Sequence, residues 1–436
     1  MKVFMLGWEF PPFISGGLGT ACFGLTKAMS NMGIEVLFVL PRPVEQTDST
    51  HVRMLTPKST PSGKELHYKY EGLQNVQFLA VESMLSPYAS PEYYKEKLDE
   101  VVRKKRQAGR VSGAEAEELA FGANEEMHYA GDMFSEIHRY ANSAVGLATD
   151  EDFDVVHAHD WMTYPAGIAV AAVKGKPLVV HVHSTEFDRS GEHVNQPIYD
   201  IERRGMHAAQ KVIAVSHLTR NTIISRYGVT GDKVEVVYNG VDRNGDSRIM
   251  PRAGISGDEK IVLFLGRITM QKGPEYFLMA AKRVLEEIDN VKFVMAGSGD
   301  MMNRTIEMAA EIGIGHKVLF TGFLRGEDVE KVYQMADLYV MPSVSEPFGI
   351  APLEALNHDV PVLISRQSGV AEVLTHVLKV DFWDINEMAN KIVAVLKYPP
   401  LQLTLREHGN FEVRRLRWQD AAQKCACVYS ELMVHV

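Results

Sequence analysis

Two glutamates, Glu346 and Glu354, stand on either side of a Pro-Phe-Gly sequence, with seven residues between them. They follow the apolar run 336–342, which is typical of a buried strand. Pro352 lacks an N–H and suits a first helical turn, so the pattern predicts a helix that begins near Ile350. A helix start offers free N–H groups to a phosphate, and nearby carboxylates can accept hydrogen bonds from sugar hydroxyls. An acidic first turn is the simpler alternative, but the spacing favours a nucleotide-sugar pocket.

This Glu-x7-Glu element resembles the signature of retaining nucleotide-sugar glycosyltransferases of the GT-B fold, especially family 4 and the related bacterial glycogen and starch synthases. The resemblance implies that Glu346 is a catalytic residue near the transferred sugar and that Glu354 holds the ribose of the donor. It also implies that backbone N–H groups between them contact the sugar hydroxyls or phosphates, at Phe348, Gly349 and Ile350.

Two cations, Arg267 and Lys272, lie in a loop that follows an apolar run at 260–265 and precedes a helical pattern. A basic pair in such a loop is commonly a solvated surface feature. In the similar family, however, the equivalent residues bind the donor diphosphate and assist catalysis. The chemistry supports this role, because negative charge grows on the leaving phosphate as the glycosidic bond breaks, and fixed cations stabilise that charge.

Glycines mark two further strand-to-helix loops, at 14–19 and 296–300. Gly16, Gly17 and Gly297 would let the backbone approach a phosphate or sugar closely, although glycines also serve ordinary turns. The first loop resembles the Lys-Thr-Gly-Gly-Leu loop of glycogen synthases without its lysine. That departure moves the best match toward the broader family 4.

Histidines end two apolar runs. The segment His-Ala-His-Asp-Trp at 157–161 resembles glycogen synthases, in which the second histidine contacts the transferred sugar. The resemblance gives His159 a catalytic and sugar-binding role with Asp160 beside it, and leaves His157 as a packed residue. In the next polar loop, His183 or Glu186 contacts the acceptor, or His183 is a hydrogen-bonded structural residue.

The chain of 436 residues is long enough for two domains, and apolar runs alternate with amphipathic segments. We therefore expect an α/β protein with two doubly wound, Rossmann-like domains facing across a cleft. The predicted limits are 1–245 on the acceptor side, with a helical insertion at about 86–147, then 246–415 for the nucleotide sugar. Residues 416–436 are predicted to form a helix, and the resemblance to GT-B proteins implies that it crosses back to the N-terminal domain.

Charge and cysteine content narrow the class of partner. The formal net charge of −10 argues against a general nucleic-acid binder, and the short apolar run at the start of the chain predicts a first strand and not a membrane span. Three cysteines form no disulfide framework, so we expect a cytoplasmic protein with no stable membrane insertion. Cys425 and Cys427 are predicted to be buried, reduced thiols in a terminal helix.

The resemblance covers nearly the whole chain, and it implies a hexosyltransferase that moves glucose from UDP- or ADP-glucose to an α-glucan with retention of configuration. We expect no cofactor. The candidate donor loops contain no Asp-x-Asp pair, so we expect no metal either. Transfer to a lipid, a small sugar or a sugar phosphate is the alternative within family 4. A UDP-sugar 2-epimerase is the alternative from another class, and Glu-x7-Glu with Arg267 and Lys272 favours the transferase.

Overall fold

The computed structural model describes residues 1–11, 16–42, 54–55, 73–82, 131–242 and 259–434. Most of the predicted helical insertion lies outside these residues, as does the basic run 103–106 within it. The polar, glycine-containing stretch 242–247 separates the two series of apolar runs and is typical of a linker, and it lies outside the described residues after Asp242. Among the helices of the described residues, none is both long and apolar enough to cross a bilayer.

Eight strands form the first sheet in the order β3-β4-β2-β1-β5-β6-β7-β8. Their bounds are β1 Lys2–Leu6, β2 Glu35–Arg42, β3 Met54–Leu55, β4 Val76–Glu82, β5 Val155–His159, β6 Leu178–Val182, β7 Lys211–Ala214 and β8 Val234–Val236. The pairings of β1 with β2 and β5, and of β5 with β6, are parallel. Five strands of this sheet were predicted from apolar runs, namely β1, β2, β5, β6 and β7, and all five are confirmed. β3, β4 and β8 are additional.

Helices alternate with these strands, as parallel pairing requires. They are α1 Gly17–Asn31, α2 Gly131–Thr149, α3 Tyr164–Lys174, α4 Glu186–Ser190, α5 Gln196–Ala208 and α6 His217–Tyr227. Local signals fix their ends: α3 ends at Gly175 with φ of +62°, and the Ser216 hydroxyl caps α6 by accepting the Thr219 N–H at 3.0 Å.

Six strands form the second sheet in the order β11-β10-β9-β12-β13-β14. They are β9 Lys260–Leu265, β10 Val291–Ala296, β11 Val318–Gly322, β12 Leu338–Met341, β13 Val362–Ser365 and β14 Leu378–Val380. The helices are α7 Pro274–Leu285, α8 Met302–Glu311, α9 Glu327–Met335, α10 Ala351–Asn357, α11 Ile385–Lys397 and α12 Pro399–Val413. The sequence predicted β9 to β13 and the start of α10, and all are confirmed.

The second sheet is buried on both faces. Val262 and Phe264 of β9 pack into one apolar cluster, and Ile261 and Leu263 pack into another on the opposite face. Successive side chains of a strand point to opposite faces, so two covered faces require a continuous apolar run. This is why the run at 260–265 identified a strand so clearly.

The described chain divides into two compact units. The first contains 1–181, 201–212 and 428–436, and the second contains 182–200 and 213–427. The predicted terminal helix is confirmed as α13, Trp418–Val434. The predicted domain limits at 245 and 415 stay predictions.

The expectation that both terminal cysteines are buried is wrong. Cys425 is buried within α13, but Cys427 is exposed. Residues two apart on a helix point in nearly opposite directions, because each residue turns the helix by about 100°. Only one of the two can therefore face the core.

Candidate functional site

Glu346 lies between β12 and α10 and is only 6% exposed. Its carboxylate forms an ion pair with the Lys272 ammonium, and its Oε2 accepts a hydrogen bond from the Ser343 hydroxyl at 3.2 Å. The Glu346 N–H donates to the Gln367 carbonyl at 2.9 Å, which ties this loop to the loop after β13. A buried carboxylate needs such partners, because burial without them is costly.

The position of Lys272 depends on a close approach of two backbones. Lys272 ends the 3₁₀ turn Met270–Lys272 in the loop after β9. Gly273 follows with φ of +67°, and a Cβ at this position would lie 2.2 Å from the Pro342 carbonyl oxygen. Only glycine fits there. The loops after β9 and β12 thus meet without a side chain between them, which brings Lys272 to Glu346.

Arg267 lies in the same loop as Lys272 and is half-buried. Its Nη2 donates to the Oε1 of Gln271 at 3.3 Å. The Gln271 backbone carbonyl accepts the N–H of Val344 at 2.9 Å, so Gln271 joins the arginine to the loop that carries Glu346. The two predicted cations are therefore both tied to this corner of the second sheet.

Glu354 lies in the first turn of α10, as predicted. The Tyr333 hydroxyl donates to its Oε2 at 3.0 Å. Burial raises the pKa of Glu354, and the Tyr333 hydrogen bond opposes that rise. Burial also raises the pKa of Tyr339, and the charges of Glu346 and Glu354 add to the effect. Both glutamates of the motif thus lie near the Tyr339 hydroxyl.

The residues between the two glutamates are tightly constrained. Phe348 is 2% exposed, and its carbonyl accepts the Val370 N–H at 2.7 Å. Gly349 has φ of +105°, and a Cβ there would lie 3.3 Å from the Cγ of Glu346. Ile350 is the N-cap residue of α10. Their contacts with a donor stay predictions, and the glycine is explained by the loop itself.

The remaining predicted glycines have different surroundings. A Cβ at Gly297 would lie 1.8 Å from the Gly266 carbonyl oxygen, so the packing of neighbouring strand ends accounts for this glycine. A Cβ at Gly16 would lie 2.6 Å from Oε2 of the buried Glu9. Gly17, which begins α1, has open space around it. Their contact with the donor stays a prediction.

Three buried imidazoles form a cluster in the first unit. His157 and His159 share one face of β5, and His181 stands opposite His159 in the register of β6. Ring centroids are 4.3 Å apart for His157 and His159, 5.1 Å for His159 and His181, and 5.4 Å for His157 and His181. The Tyr429 hydroxyl lies 2.5 Å from Nδ1 of His157.

Within the described ranges, one group of side chains could hold a metal ion, and it is this histidine cluster. One nitrogen from each ring lies within 4.8 Å of the others. Imidazole nitrogen is a common zinc ligand. No role was predicted for His181 from the sequence. The missed signal was its position: β5 ends at His159, and His181 lies one residue before the end of the adjacent parallel strand β6, so the rings lie together.

Asp160 follows His159 with φ of +59° and ψ of 168°, a strained backbone conformation that is found almost only at glycine. Its N–H donates to the His181 carbonyl at 2.9 Å, and it is 6% exposed. Burial raises the pKa of Cys22, and the charges of Glu9 and Asp160 add to that rise. Two carboxylates therefore lie near this buried thiol.

Glu186 is the first residue of α4, and His183 lies in the loop before it. Both belong to the second unit. Burial lowers the pKa of His183 to about 3, so its imidazole is neutral near pH 7. Glu186 is 2% exposed and accepts hydrogen bonds from Ser190 Oγ at 2.7 Å, Asn195 N at 3.0 Å and Arg189 Nε at 3.1 Å. Glu186 therefore holds its own loop together, and its contact with an acceptor stays a prediction.

Asp188 is a residue of this region that the sequence did not single out. Its Oδ2 accepts hydrogen bonds from the N–H and hydroxyl of Thr185, both at 2.7 Å, which caps α4. Its Oδ1 accepts the Ser345 hydroxyl at 2.6 Å, next to Glu346. The loop that carries His183 is thereby anchored to the loop that carries Glu346. Thr-x-x-Asp was the available capping signal.

Comparison with known proteins agrees with this arrangement. Family models match residues 117–244 as Glycosyltransferase Family 4 and residues 246–410 as Glycosyl transferases group 1. The chain is 31% identical over 393 residues to an uncharacterized glycosyltransferase of Methanocaldococcus jannaschii, across 86% of this chain and 83% of that protein. It is 25% identical over 382 residues to a glycogen synthase of Mycobacterium tuberculosis, across 86% and 80% of the two chains.

Among solved structures, Anabaena HepE in complex with UDP-glucose superimposes with a TM-score of 0.67 at 17% sequence identity, across 99% of this chain and 100% of that one. A likeness at this identity speaks for the fold. The family models, the Methanocaldococcus relative and the two parallel sheets together show that the chain belongs to the family 4 glycosyltransferases, with two Rossmann-like domains of the GT-B type.

Proposed function

We propose that this glycosyltransferase moves glucose from UDP- or ADP-glucose to the hydroxyl of an α-glucan, with retention of configuration. The Lys272–Glu346 ion pair carries the proposal. It sets a fixed cation beside a buried carboxylate at the carboxyl ends of parallel strands, where ligands bind in folds of this kind. A sugar held by the carboxylate would present its diphosphate to the cation.

The donor side divides into two roles. Lys272 and Arg267 would stabilise the charge that grows on the leaving diphosphate, which is a gain in the transition state beyond that in the ground state. Glu346 would hold the hexose, and Glu354 the ribose hydroxyls. The likeness to a structure solved with UDP-glucose supports a donor of this class.

The acceptor side carries the preference for a glucan. His159 and Asp160 belong to the segment that is similar to glycogen synthases, and a glycogen synthase is among the relatives. The alternative within the family is a lipid, small-sugar or sugar-phosphate acceptor. A cytoplasmic location is part of this proposal, since the free thiols of Cys22 and Cys425 suit a reducing compartment.

Metal independence is a further part of the proposal. Two cations already stand in the loop after β9 and can serve as the counter-charge to a diphosphate. Transfer should therefore continue in EDTA. Complete loss of activity, with recovery on adding magnesium or manganese, would contradict this.

The proposal is tested by incubating the protein with UDP- or ADP-glucose and glycogen or maltooligosaccharides in EDTA. We expect an elongated glucan whose new linkage is α by NMR. Glu346→Gln should abolish most transfer, whereas Lys282→Ala, at an exposed lysine of α7, should leave it unchanged. Donor without acceptor should yield no 2-epimer. An epimerised sugar, or transfer with no glucan product, would contradict the assigned reaction or acceptor.

A further inference from the structure

The chain contains four tryptophans, and one of them is set apart by its exposure. Trp8, Trp161 and Trp418 are at most 6% exposed, whereas Trp383 is 57% exposed. Leaving a large aromatic side chain in water gives up the free energy that its burial would contribute. An exposed indole is therefore a candidate binding surface for a ligand.

Aromatic contacts hold the Trp383 indole in place. Its ring lies 4.8 Å from that of Phe382 at 84°, and Phe382 packs on Tyr276 at 5.0 Å. The segment is a tight turn in which the Asp384 N–H donates to the Asp381 carbonyl at 2.9 Å. A platform that is already ordered loses little conformational entropy when a ligand binds.

Polar side chains lie in the turn that carries Trp383 and in the loop after β13 that contacts this turn. The Gln367 amide donates to the Asp381 carboxylate at 2.8 Å, and Arg366 lies 4.0 Å from the same carboxylate. The side chains of Arg366 and Asp381 are 53% and 36% exposed, so both retain capacity for a ligand. Arg366 also lines an open cavity of 420 Å³, together with His217, Asn221, Ser368 and Lys379.

Trp383 is also connected to the proposed sugar site. Asp381 follows β14, Gln367 follows β13 and Glu346 follows β12, so all three lie at the carboxyl edge of the second sheet. The Gln367 carbonyl accepts the Glu346 N–H at 2.9 Å, while its side chain holds Asp381. One residue thus joins the aromatic turn to the loop that carries the catalytic carboxylate.

We propose that Trp383 is the platform of a saccharide-binding subsite, which holds a pyranose unit of the glycan that the enzyme extends. A pyranose has an apolar C–H face that stacks on the electron-rich indole, and a rim of hydroxyls that can bond Asp381 and Arg366. A protein partner would instead favour a core depleted of charged residues. This inference rests on the proposed function for its acceptor.

The subsite can be tested without donor. Maltoheptaose should shift the emission of the exposed indole and protect it from iodide quenching. Trp383→Phe should remove that signal while it keeps an aromatic face for binding, as measured by calorimetry. Trp383→Ala should weaken maltoheptaose binding about tenfold, the effect of truncating a contact worth about 1.4 kcal/mol. Phe411→Ala, at an aromatic residue of α12 that is also 57% exposed, is the matched control and should bind normally.

Kinetics separate this inference from the proposed function. Trp383→Ala should raise the KM for long maltooligosaccharides and leave donor KM and turnover on short acceptors near those of the unmodified protein. Unchanged emission with maltoheptaose, together with an unchanged KM in Trp383→Ala, would overturn the subsite while transfer remains. Absence of transfer in the unmodified protein would instead contradict the proposed function, and the donor-free binding measurements would still decide the subsite.

Discussion

Lys272 and Glu346 form an ion pair in which each group offsets the charge of the other. The ammonium is bonded to a carboxylate that is 6% exposed, and Ser343 holds the same oxygen. A diphosphate offers the ammonium more negative charge than a single carboxylate does. In the proposed reaction, the diphosphate would draw Lys272 toward the phosphates and release one oxygen of Glu346 for a sugar hydroxyl.

Removing either cation should slow transfer more than it affects folding. A hydrogen bond to a charged group contributes roughly 1.5–3 kcal/mol, so Arg267→Ala and Lys272→Ala should each lower kcat/KM by about one to two orders of magnitude. Steady-state kinetics with UDP- and ADP-glucose measure this, and melting temperature reports folding. Lys282→Ala is the control. Near-normal turnover in both variants would remove the proposed leaving-group role.

The two glutamates should separate binding from turnover. Glu354→Ala should weaken binding of free UDP or ADP by about tenfold, because one hydrogen-bonding charged group is lost. Glu346→Ala should chiefly lower kcat, since the proposed function places Glu346 at the transferred sugar. Calorimetry with the free nucleotide gives the first quantity and initial rates give the second. Glu286→Ala, at an exposed carboxylate, serves as control. Equal loss of nucleotide affinity in both variants would contradict the division.

His183 should make folding stability depend on pH. Burial lowers its pKa to about 3, whereas the unfolded chain binds the proton near the ordinary value of 6.5. Between these pH values the unfolded state binds one more proton than the folded state. The contribution of His183 to the free energy of unfolding therefore falls as pH falls, by at most about 1.4 kcal/mol per pH unit. Urea unfolding at pH 7 and pH 5 should show a smaller difference in His183→Gln. The exposed His193→Gln should match the unmodified protein, and an unchanged pH difference in His183→Gln would refute the assignment.

Residue spacing, together with the resemblance to family 4, singled out Glu346, Glu354, Arg267 and Lys272 as candidate site residues. The bond between Lys272 and Glu346 was not predictable, because it depends on how two loops from different strands meet. Asp188 was missed for the same reason, since its partner Ser345 is distant in sequence.

At the level of elements, the site depends on loops that are fixed by their backbones. Gly273 illustrates this, because its positive φ and its contact with Pro342 hold the loop after β9 against the loop after β12. Lys272 is the preceding residue. The geometry of the ion pair is therefore set in part by a glycine that has no side chain of its own.

Replacing Gly273 should reduce activity through geometry alone. Gly273→Ala adds a Cβ at 2.2 Å from a carbonyl oxygen, and the loop must move to relieve it. Such a displacement of a loop that positions Lys272 can slow an enzyme by about tenfold to a hundredfold. Gly313→Ala isolates the backbone effect, because Gly313 also has a positive φ, +79°, but has open space around it. It should lose about 1–2 kcal/mol of stability and keep its activity. Equal activity in the two variants would contradict the role of Gly273.

The strands that were predicted from sequence are those with continuous apolar runs, such as 260–265. β14 and β8 have only three residues each and include polar side chains, so no run marked them. β14 matters to the proposed saccharide subsite, because the turn that carries Trp383 follows this strand. Short edge strands are recognised through their pairing partners, and that information lies in the register with β13.

For the whole molecule, the open question is whether the acceptor is soluble or in a membrane. A net charge of −10 repels anionic lipid, although local basic clusters can override it. The sequence contains one such run, Arg103 to Arg106, diluted by Glu96, Asp99 and Glu100. Because neighbouring acids offset much of the attraction, we expect a soluble acceptor.

A soluble glucan acceptor predicts elongation of maltooligosaccharides with no membrane present. It also predicts weak binding to vesicles of anionic lipid, because net repulsion of the whole chain opposes the short basic run. Flotation at low and physiological salt measures vesicle binding, and a triple variant that neutralises Lys104, Lys105 and Arg106 is the matched test of the run. That variant should extend glucans as the unmodified protein does. Tight, salt-sensitive vesicle binding that the variant loses, combined with no transfer to glucans, would replace the glucan with a lipid acceptor.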